Sequence, residues 1–208
     1  QKIYGEELVA VTKAALEDLY LPYKPKRRTK AMIARENGLE PLVEAILADR
    51  MADPEALAEP YVTEAVPSVK DALTGARDII AEGLAENAGL LGNLRGWLAR
   101  EAVVCAKVIA GKEAEGAKFS DYFDHTEKFE TIPSHRALAM LRASKEGIVT
   151  LEIGPEGEEG QARAEAMVAA QLEARGTGKG DAWLRKAAGW TWRVKLSMSM
   201  MVDLMAQM

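Results

Sequence analysis

Residues 68–86 read SVKDALTGARDIIAEGLAE, and they carry the clearest helical pattern in the chain. Ser68 and Asp71 occupy the first and fourth positions of a capping box, with Asp in place of the usual Glu or Gln. Behind them the apolar residues recur at steps of three and four, which is the spacing of one helix face. This face comprises Val69, Ala72, Leu73, Ala76, Ile80 and Leu84. The pattern predicts a helix that runs to about Glu86.

Further helices are predicted before this stretch. Helical spacing covers residues 6–20, and a short helix over residues 30–37 ends at Asn37-Gly38, a common C-terminal signal. Pro41 suits the first turn of the next helix, which is expected to bury Leu42, Ile46 and Leu47. Asp53 followed by Pro54 predicts the N-cap and first residue of another short helix.

The second half of the chain is predicted to be mostly helical as well. Helices are expected over residues 88–100, within 112–123, from Pro133-Ser134 to Gly147, and over 161–175. Residues 102–109 are rich in valine and suit helix or strand, with helix favoured, whereas residues 148–153 are the best strand candidate. Asp181 is expected to cap a long final helix with one apolar stripe: Trp183, Ala187, Trp190, Val194, Met198, Met201 and Met205.

The alternation of strand and helix that an α/β sheet needs is missing from this pattern. We therefore predict a mainly α, multi-helical and elongated fold with one or two short strands at most, around residues 148–153. Four parts are expected: residues 1–30, 31–147, 148–180 and 181–208. The first is a helix with a connector, the second a helical domain, the third a strand, acidic turn, helix and flexible loop, and the last a long helix leading toward a further domain.

Composition narrows the class of protein. The chain has 208 residues, a net charge of −5 and one cysteine, Cys105, whose apolar neighbours predict a buried thiol. The charge excludes a uniformly basic nucleic-acid binder, so any attraction for phosphate must be local. We find neither a signal peptide nor the run of about 18 apolar residues that a membrane span needs. A cytoplasmic location is expected. The start at Gln1 and the unstopped final helix suggest a piece of a longer protein.

Positive charge is concentrated between the first two predicted helices, in residues 24–30. This basic connector carries Lys24, Lys26, Arg27, Arg28 and Lys30. Pro22 and Pro25 favour an extended backbone before and within it. The cations are either solvated charges that balance acidic neighbours or contacts for nucleic-acid phosphate, with Tyr20 and Tyr23 as stacking surfaces for an unpaired base.

Other candidates are weaker. His135 and Arg136 begin a helix and could meet a phosphate or a carboxylate of a partner, while Trp192 lies off the predicted stripe and is a candidate for a partner interface. His125 has acidic neighbours but too few recognisable ligands for a metal site. Residues 176–180, GTGKG, lack the strand and spacing of a phosphate-binding loop and are interpreted as a linker. Neither a catalytic constellation, nor a metal, nor a cofactor is predicted.

Five blocks of the sequence together carry a resemblance to a known family. They are LEDLYLPYKPKRRTK at 16–30, IARENGLEPL at 33–42, ALTGARDIIAE at 72–82, KFSDYFD at 118–124, and IPSHRALAM at 132–140 with KEG at 145–147. These blocks resemble the Tex family of bacterial transcription accessory proteins, and they occur in the family's order through nearly the whole chain.

The resemblance implies a cytoplasmic, non-enzymatic factor that binds nucleic acid during transcription. Family members are several times longer than this chain and combine a helical region with an RNase-H-like YqgF domain, helix-hairpin-helix elements and a C-terminal OB-fold RNA-binding domain. This chain resembles the helical region before the YqgF domain. The expected role is a non-catalytic scaffold, with RNA or DNA, the protein's own other domains and the transcription machinery as partners. The alternative is a protein-docking module for transcription or ribosome-associated partners, without direct nucleic-acid contact.

Overall fold

The computed structural model describes residues 13–23 and 27–208, apart from the side chain of Tyr23. The described residues form ten α-helices and one three-stranded antiparallel sheet. The helices are α1 Lys13–Tyr20, α2 Lys30–Glu36, α3 Glu40–Ala48, α4 Pro54–Ala58, α5 Val69–Ala85, α6 Ala88–Glu101, α7 Ser134–Lys145, α8 Gly157–Gln171, α9 Lys179–Thr191 and α10 Ser197–Met205. The strands are β1 Val103–Val108, β2 Asp124–Lys128 and β3 Val149–Gly154. The prediction of a mainly α fold is confirmed.

Helix α5 packs against α2, α3, α4 and α9. The Ser68 side chain accepts a hydrogen bond from the backbone N–H of Asp71, at 3.1 Å, as the capping pattern predicts. Four residues of the predicted face are fully covered, namely Ala72, Ala76, Ile80 and Leu84, while Val69 and Leu73 are partly buried. A local pattern of seventeen residues therefore defines the packing surface for four other helices.

The sheet has the order β2-β1-β3. The prediction that favoured a helix for residues 102–109 is wrong, because this segment forms β1 and pairs with β3. The register places Val104 opposite Ile153 and Ala106 opposite Leu151, and all four side chains are buried. The edge strand β2 brings the number of strands to three, one more than the expected maximum. Its residues, DHTEK, are all polar, so they give no alternation of apolar and polar residues by which a strand is recognised. Cys105 is half-buried, less covered than expected.

The C-terminal helix differs most from its prediction. It begins at Lys179 instead of Asp181 and contains a π segment, Trp192–Leu196. An α-helix has about 3.6 residues per turn, so side chains four residues apart point in directions that drift slowly around the helix axis. A π segment, with i→i+5 hydrogen bonds, has more residues per turn and cancels this drift. A set spaced by four is therefore buried in place of the predicted stripe, from which Val194 and Met198 are exposed. The buried set is Leu184, Ala188, Trp192, Leu196, Met200 and Leu204.

Smaller differences concern single side chains and helix ends. Leu42 and Ile46 are buried as predicted, but Leu47 is exposed. Helix α8 begins at Gly157 and not at Gln161. The proposed division into four parts stays a prediction.

Candidate nucleic-acid interface

The basic connector joins α1 to α2. Leu21–Tyr23 form one 3-10 turn, so the extended backbone expected before the connector is wrong there. Proline fits this turn because its fixed φ near −65° is also a 3-10 value. Lys24, Lys26 and the side chain of Tyr23 lie outside the described residues.

The described cations of the connector face solvent. Arg27, Arg28 and Lys30 are exposed, as is Tyr20 at the end of α1. Arg28 forms an ion pair with Glu36, with 2.5 Å between its NH2 and a carboxylate oxygen. Both of these side chains are well exposed, so the pair adds little stability and can exchange for another anion. Within the described part of the chain, Arg27 and Lys30 form no ion pair.

The end of the connector is fixed to α5 by a hydrogen-bond network around Glu82, which is 9% exposed. Thr29 caps α2 by accepting a hydrogen bond from the Met32 N–H, and its hydroxyl donates to Glu82 Oε2 at 2.8 Å. Arg35 NH1 donates to Glu82 Oε1 at 2.6 Å, and this bond raises the pKa of the Arg35 guanidinium above its ordinary value. The last cations therefore project from an anchored frame.

Helix α1, at the other end, is fixed by a second charged cluster. Arg95 of α6 lies between two carboxylates, with NH1 2.9 Å from Asp18 Oδ2 and NH2 3.0 Å from Asp203 Oδ2. Asp18 belongs to α1 and Asp203 to α10, so one guanidinium ties both helices to α6. Burial alone would lower the pKa of the Arg95 guanidinium, but the combined attraction of the two carboxylates outweighs burial, so the pKa lies above its ordinary value.

His135 and Arg136 do not form a shared phosphate site. His135 is exposed and makes no hydrogen bond to the described residues. Arg136 is engaged with Glu127 of β2, through Nε at 3.0 Å and NH2 at 2.5 Å. Glu127 also contacts His125 Nε2 at 3.1 Å. The pKa of Glu127 is lowered, mainly because Arg136 donates hydrogen bonds to its carboxylate and secondarily because His125 does so.

This cluster predicts a pH dependence that can be measured. A carboxyl whose pKa is lower in the folded state stabilises the fold above its unfolded pKa, and this contribution is lost as the pH falls through the folded value. Glu127→Gln is therefore expected to reduce the loss of stability between about pH 5 and about pH 3. Urea unfolding at both pH values measures this difference. Glu130→Gln, an exposed neighbour, is the control, and an equal loss in Glu127→Gln and the parent would contradict the assignment.

Trp192 is a core residue, so its prediction as a partner interface is wrong. It is 1% exposed, and its indole N–H donates to Gln161 Oε1 at 2.8 Å. The π segment turns it inward. Trp183 and Trp190, which belong to the predicted apolar stripe, are only half-buried. They line a groove between α5 and α9 together with basic side chains. The sequence does not indicate this groove, because the residues of α5 and α9 that line it are more than 100 positions apart.

The glycine-rich residues 176–180 fold against the backbone of Arg50. The Gly180 N–H donates to the Arg50 carbonyl at 2.9 Å. Arg50 in turn donates from NH2 to the Leu172 carbonyl at 2.8 Å and pairs with the buried Asp181 at 3.2 Å. Asp181 thus holds the loop through Arg50 and does not cap α9, whose N-cap is Gly178.

No group of three or more His, Cys, Asp or Glu side chains in residues 13–23 and 27–208 is placed to hold a metal ion. In the same residues, no helix combines the length and the apolar character needed to cross a bilayer.

Comparison with known proteins decides the family. A family model described as Tex central region-like matches residues 49–208. The chain belongs to the Tex family. It is 46% identical over 198 residues to the transcriptional accessory protein Tex of Neisseria gonorrhoeae, 45% identical over 206 residues to protein tex of Bordetella pertussis, and 44% identical over 202 residues to protein YhgF of Escherichia coli.

These matches cover 93–94% of this chain but only 26% of each relative. The chain therefore spans about a quarter of the length of the curated relatives it matches. The family resemblance inferred from the five sequence blocks is confirmed, and most of the matched region is the Tex central region.

Proposed function

We propose that this chain is a non-catalytic scaffold of a cytoplasmic Tex-family transcription factor, and that its basic connector contacts the phosphates of RNA or DNA. The observation that carries the proposal is the anchoring of exposed cations. Arg27 and Lys30 project beside Thr29, which is held to the buried Glu82 on α5. Cations on a fixed frame lose less conformational entropy when they bind phosphate than cations on a free chain. The protein's own YqgF-like and RNA-binding domains and the transcription machinery are further proposed partners.

A salt series on the full-length protein tests this role. Lys26→Ala, Arg27→Ala and Arg28→Ala together are expected to weaken binding of single-stranded RNA or duplex DNA about tenfold or more at low salt. Each lost phosphate contact should reduce the slope of log K against log salt by about 0.7–0.9. The matched control replaces three exposed cations elsewhere, Lys107, Arg142 and Lys145, with alanine. Unchanged affinity and slope in the connector variant would exclude the phosphate role.

A second candidate function is protein docking, and a specific surface favours it. Val194, Met198 and Val202 follow one another at steps of four on the C-terminal helix, and each is more than half exposed. They adjoin an apolar cleft of about 620 Å³ between β3 and this helix, partly lined by Met198 and Met201. Contiguous exposed apolar side chains are typical of partner contacts.

The two functions differ in what nuclease treatment does to captured partners. If docking is the function, proteins retained by the chain survive nuclease treatment of the lysate and are lost from a Val194→Ser, Met198→Ser, Val202→Ser variant. If nucleic-acid contact is the function, partners are lost with the nucleic acid and the apolar triple variant behaves as the parent.

A further inference from the structure

The groove between α5 and α9 combines aromatic and basic side chains. Its volume is about 670 Å³. Glu55 is the one carboxylate among its lining residues, against four cations, in a chain whose net charge is −5. The side chains that matter are Lys70, Arg77, Trp183, Lys186, Trp190 and Arg193. None of them belongs to the connector.

Arg77 of α5 and Trp190 of α9 meet in this groove. The guanidinium carbon of Arg77 lies 3.7 Å from the centroid of the Trp190 ring, which is a close cation–π contact. Arg77 also lies 3.6 Å from a carboxylate oxygen of Asp78, and its Nε is buried without a hydrogen-bond partner in the described residues. Guanidinium groups and indole rings are the surfaces on which unpaired bases stack. The groove therefore presents a preassembled stacking unit, with the half-buried Trp183 one helical heptad away on α9.

Two lysines supply charge that the fold does not use. Lys70, in the first turn of α5, and Lys186, on α9, are exposed and form no ion pair with the described residues. Arg193 differs because it pairs with Glu165. An ammonium group without a partner gains more from an incoming phosphate than one that must first leave a carboxylate. The ligand that fits the groove therefore carries negative charge beside flat rings.

We propose that this groove binds a short segment of single-stranded nucleic acid. Bases stack against Trp183 and the Arg77–Trp190 pair, and phosphates lie near Lys70 and Lys186. Single strands fit better than duplex because stacking between neighbouring base pairs covers the faces of the bases in a duplex. An acidic peptide matches the lysines but offers no flat ring for the two tryptophans. The proposal goes beyond the phosphate contact of the connector, because it adds base stacking at a separate surface.

Tryptophan fluorescence of the 208-residue chain tests the groove directly. Trp97 and Trp192 are buried, at 8% and 1% exposure, so a ligand-dependent change in emission reports mainly Trp183 and Trp190. Titration with dodecathymidylate at low salt is expected to quench this emission. Lys70→Ala with Lys186→Ala should raise Kd about tenfold, and Trp190→Ala should raise it by a similar factor. The matched control, Lys107→Ala with Lys145→Ala, places the same charge change on β1 and α7.

The outcomes separate this site from the connector and from other ligands. Arg27→Ala with Arg28→Ala is expected to leave the quenching curve unchanged, whatever it does to binding by the full-length protein. The surface lysine variants keep the Arg77–Trp190 contact, so they test the groove even if Trp190→Ala fails to fold. Absence of quenching by dodecathymidylate, or equal Kd in the parent and the Lys70, Lys186 variant, would overturn the proposal. Equal quenching by a twelve-residue polyglutamate peptide would overturn it in favour of an acidic protein segment.

Discussion

Replacing Arg95 with methionine is expected to destabilise the chain by about 3 kcal/mol or more. The guanidinium lies between Asp18 and Asp203, and the side chains of Arg95 and Asp18 are only 13% and 10% exposed. Methionine keeps most of the volume but removes the charge, which leaves two carboxylates close together with little access to water. Removing one partner of a buried charged cluster destabilises the fold by more than the intact cluster stabilised it, because the remaining charges stay buried without a counter-charge.

Urea unfolding of the parent and variant measures this free energy. Arg142→Met is the matched control, since Arg142 pairs with Glu146 on an exposed surface, and it should change the free energy of unfolding by less than about 1 kcal/mol. Arg95→Lys should be intermediate, because one ammonium group cannot match the fork that reaches both carboxylates. If Arg95→Met were no worse than Arg142→Met, the cluster would not be what holds α1 and α10 to α6.

Much of the helical fold could be predicted because its signals are local. Ser68 with Asp71, Asp53 with Pro54, and Asn37 with Gly38 each mark a helix end within a few residues, and all three predictions agree with the structure. Such signals are legible from one sequence because capping satisfies backbone groups of the same segment.

The errors arise where distant segments decide the structure. Residues 103–108 become a strand because β3, more than 40 positions later, offers a matching apolar edge. Trp192 turns inward because a π segment resets the helix face, and no residue type announces such a segment. Asp181 looks like an N-cap by position, yet its carboxylate is taken by Arg50, 131 positions away.

The candidate site also combines features that are visible in the sequence with features that only the fold creates. The cluster of cations in the connector could be found from the local sequence alone. Their anchor could not, because Glu82 is 53 positions from Thr29 and nothing local distinguishes it from other glutamates. The stacking of Arg77 on Trp190 is likewise visible only once α5 and α9 pack together. Sequence therefore indicates which residues carry charge, and the fold determines which of them are held in place.

Gly178→Ala is expected to destabilise the chain by about 3 kcal/mol. Gly178 has φ −67° and ψ 158°, a conformation that alanine also adopts, so the backbone itself is not strained. The obstacle is the neighbouring chain: a Cβ at this position would lie 2.1 Å from the carbonyl oxygen of Arg50 and 2.8 Å from its carbonyl carbon. Backbone atoms cannot rotate away as a side chain does, so the loop must shift and strain the Gly180 hydrogen bond to Arg50.

Gly96→Ala supplies the matched control, because a Cβ there meets nothing within 4 Å. It should stabilise the chain by up to about 1 kcal/mol, since alanine loses less backbone entropy in a helix than glycine. A loss of stability in Gly178→Ala and a gain in Gly96→Ala, measured by urea unfolding, would establish that the close approach of the Arg50 backbone requires glycine at position 178. If instead both variants were neutral or stabilising, close packing would not explain these glycines, and a ligand role for the loop would have to be reconsidered.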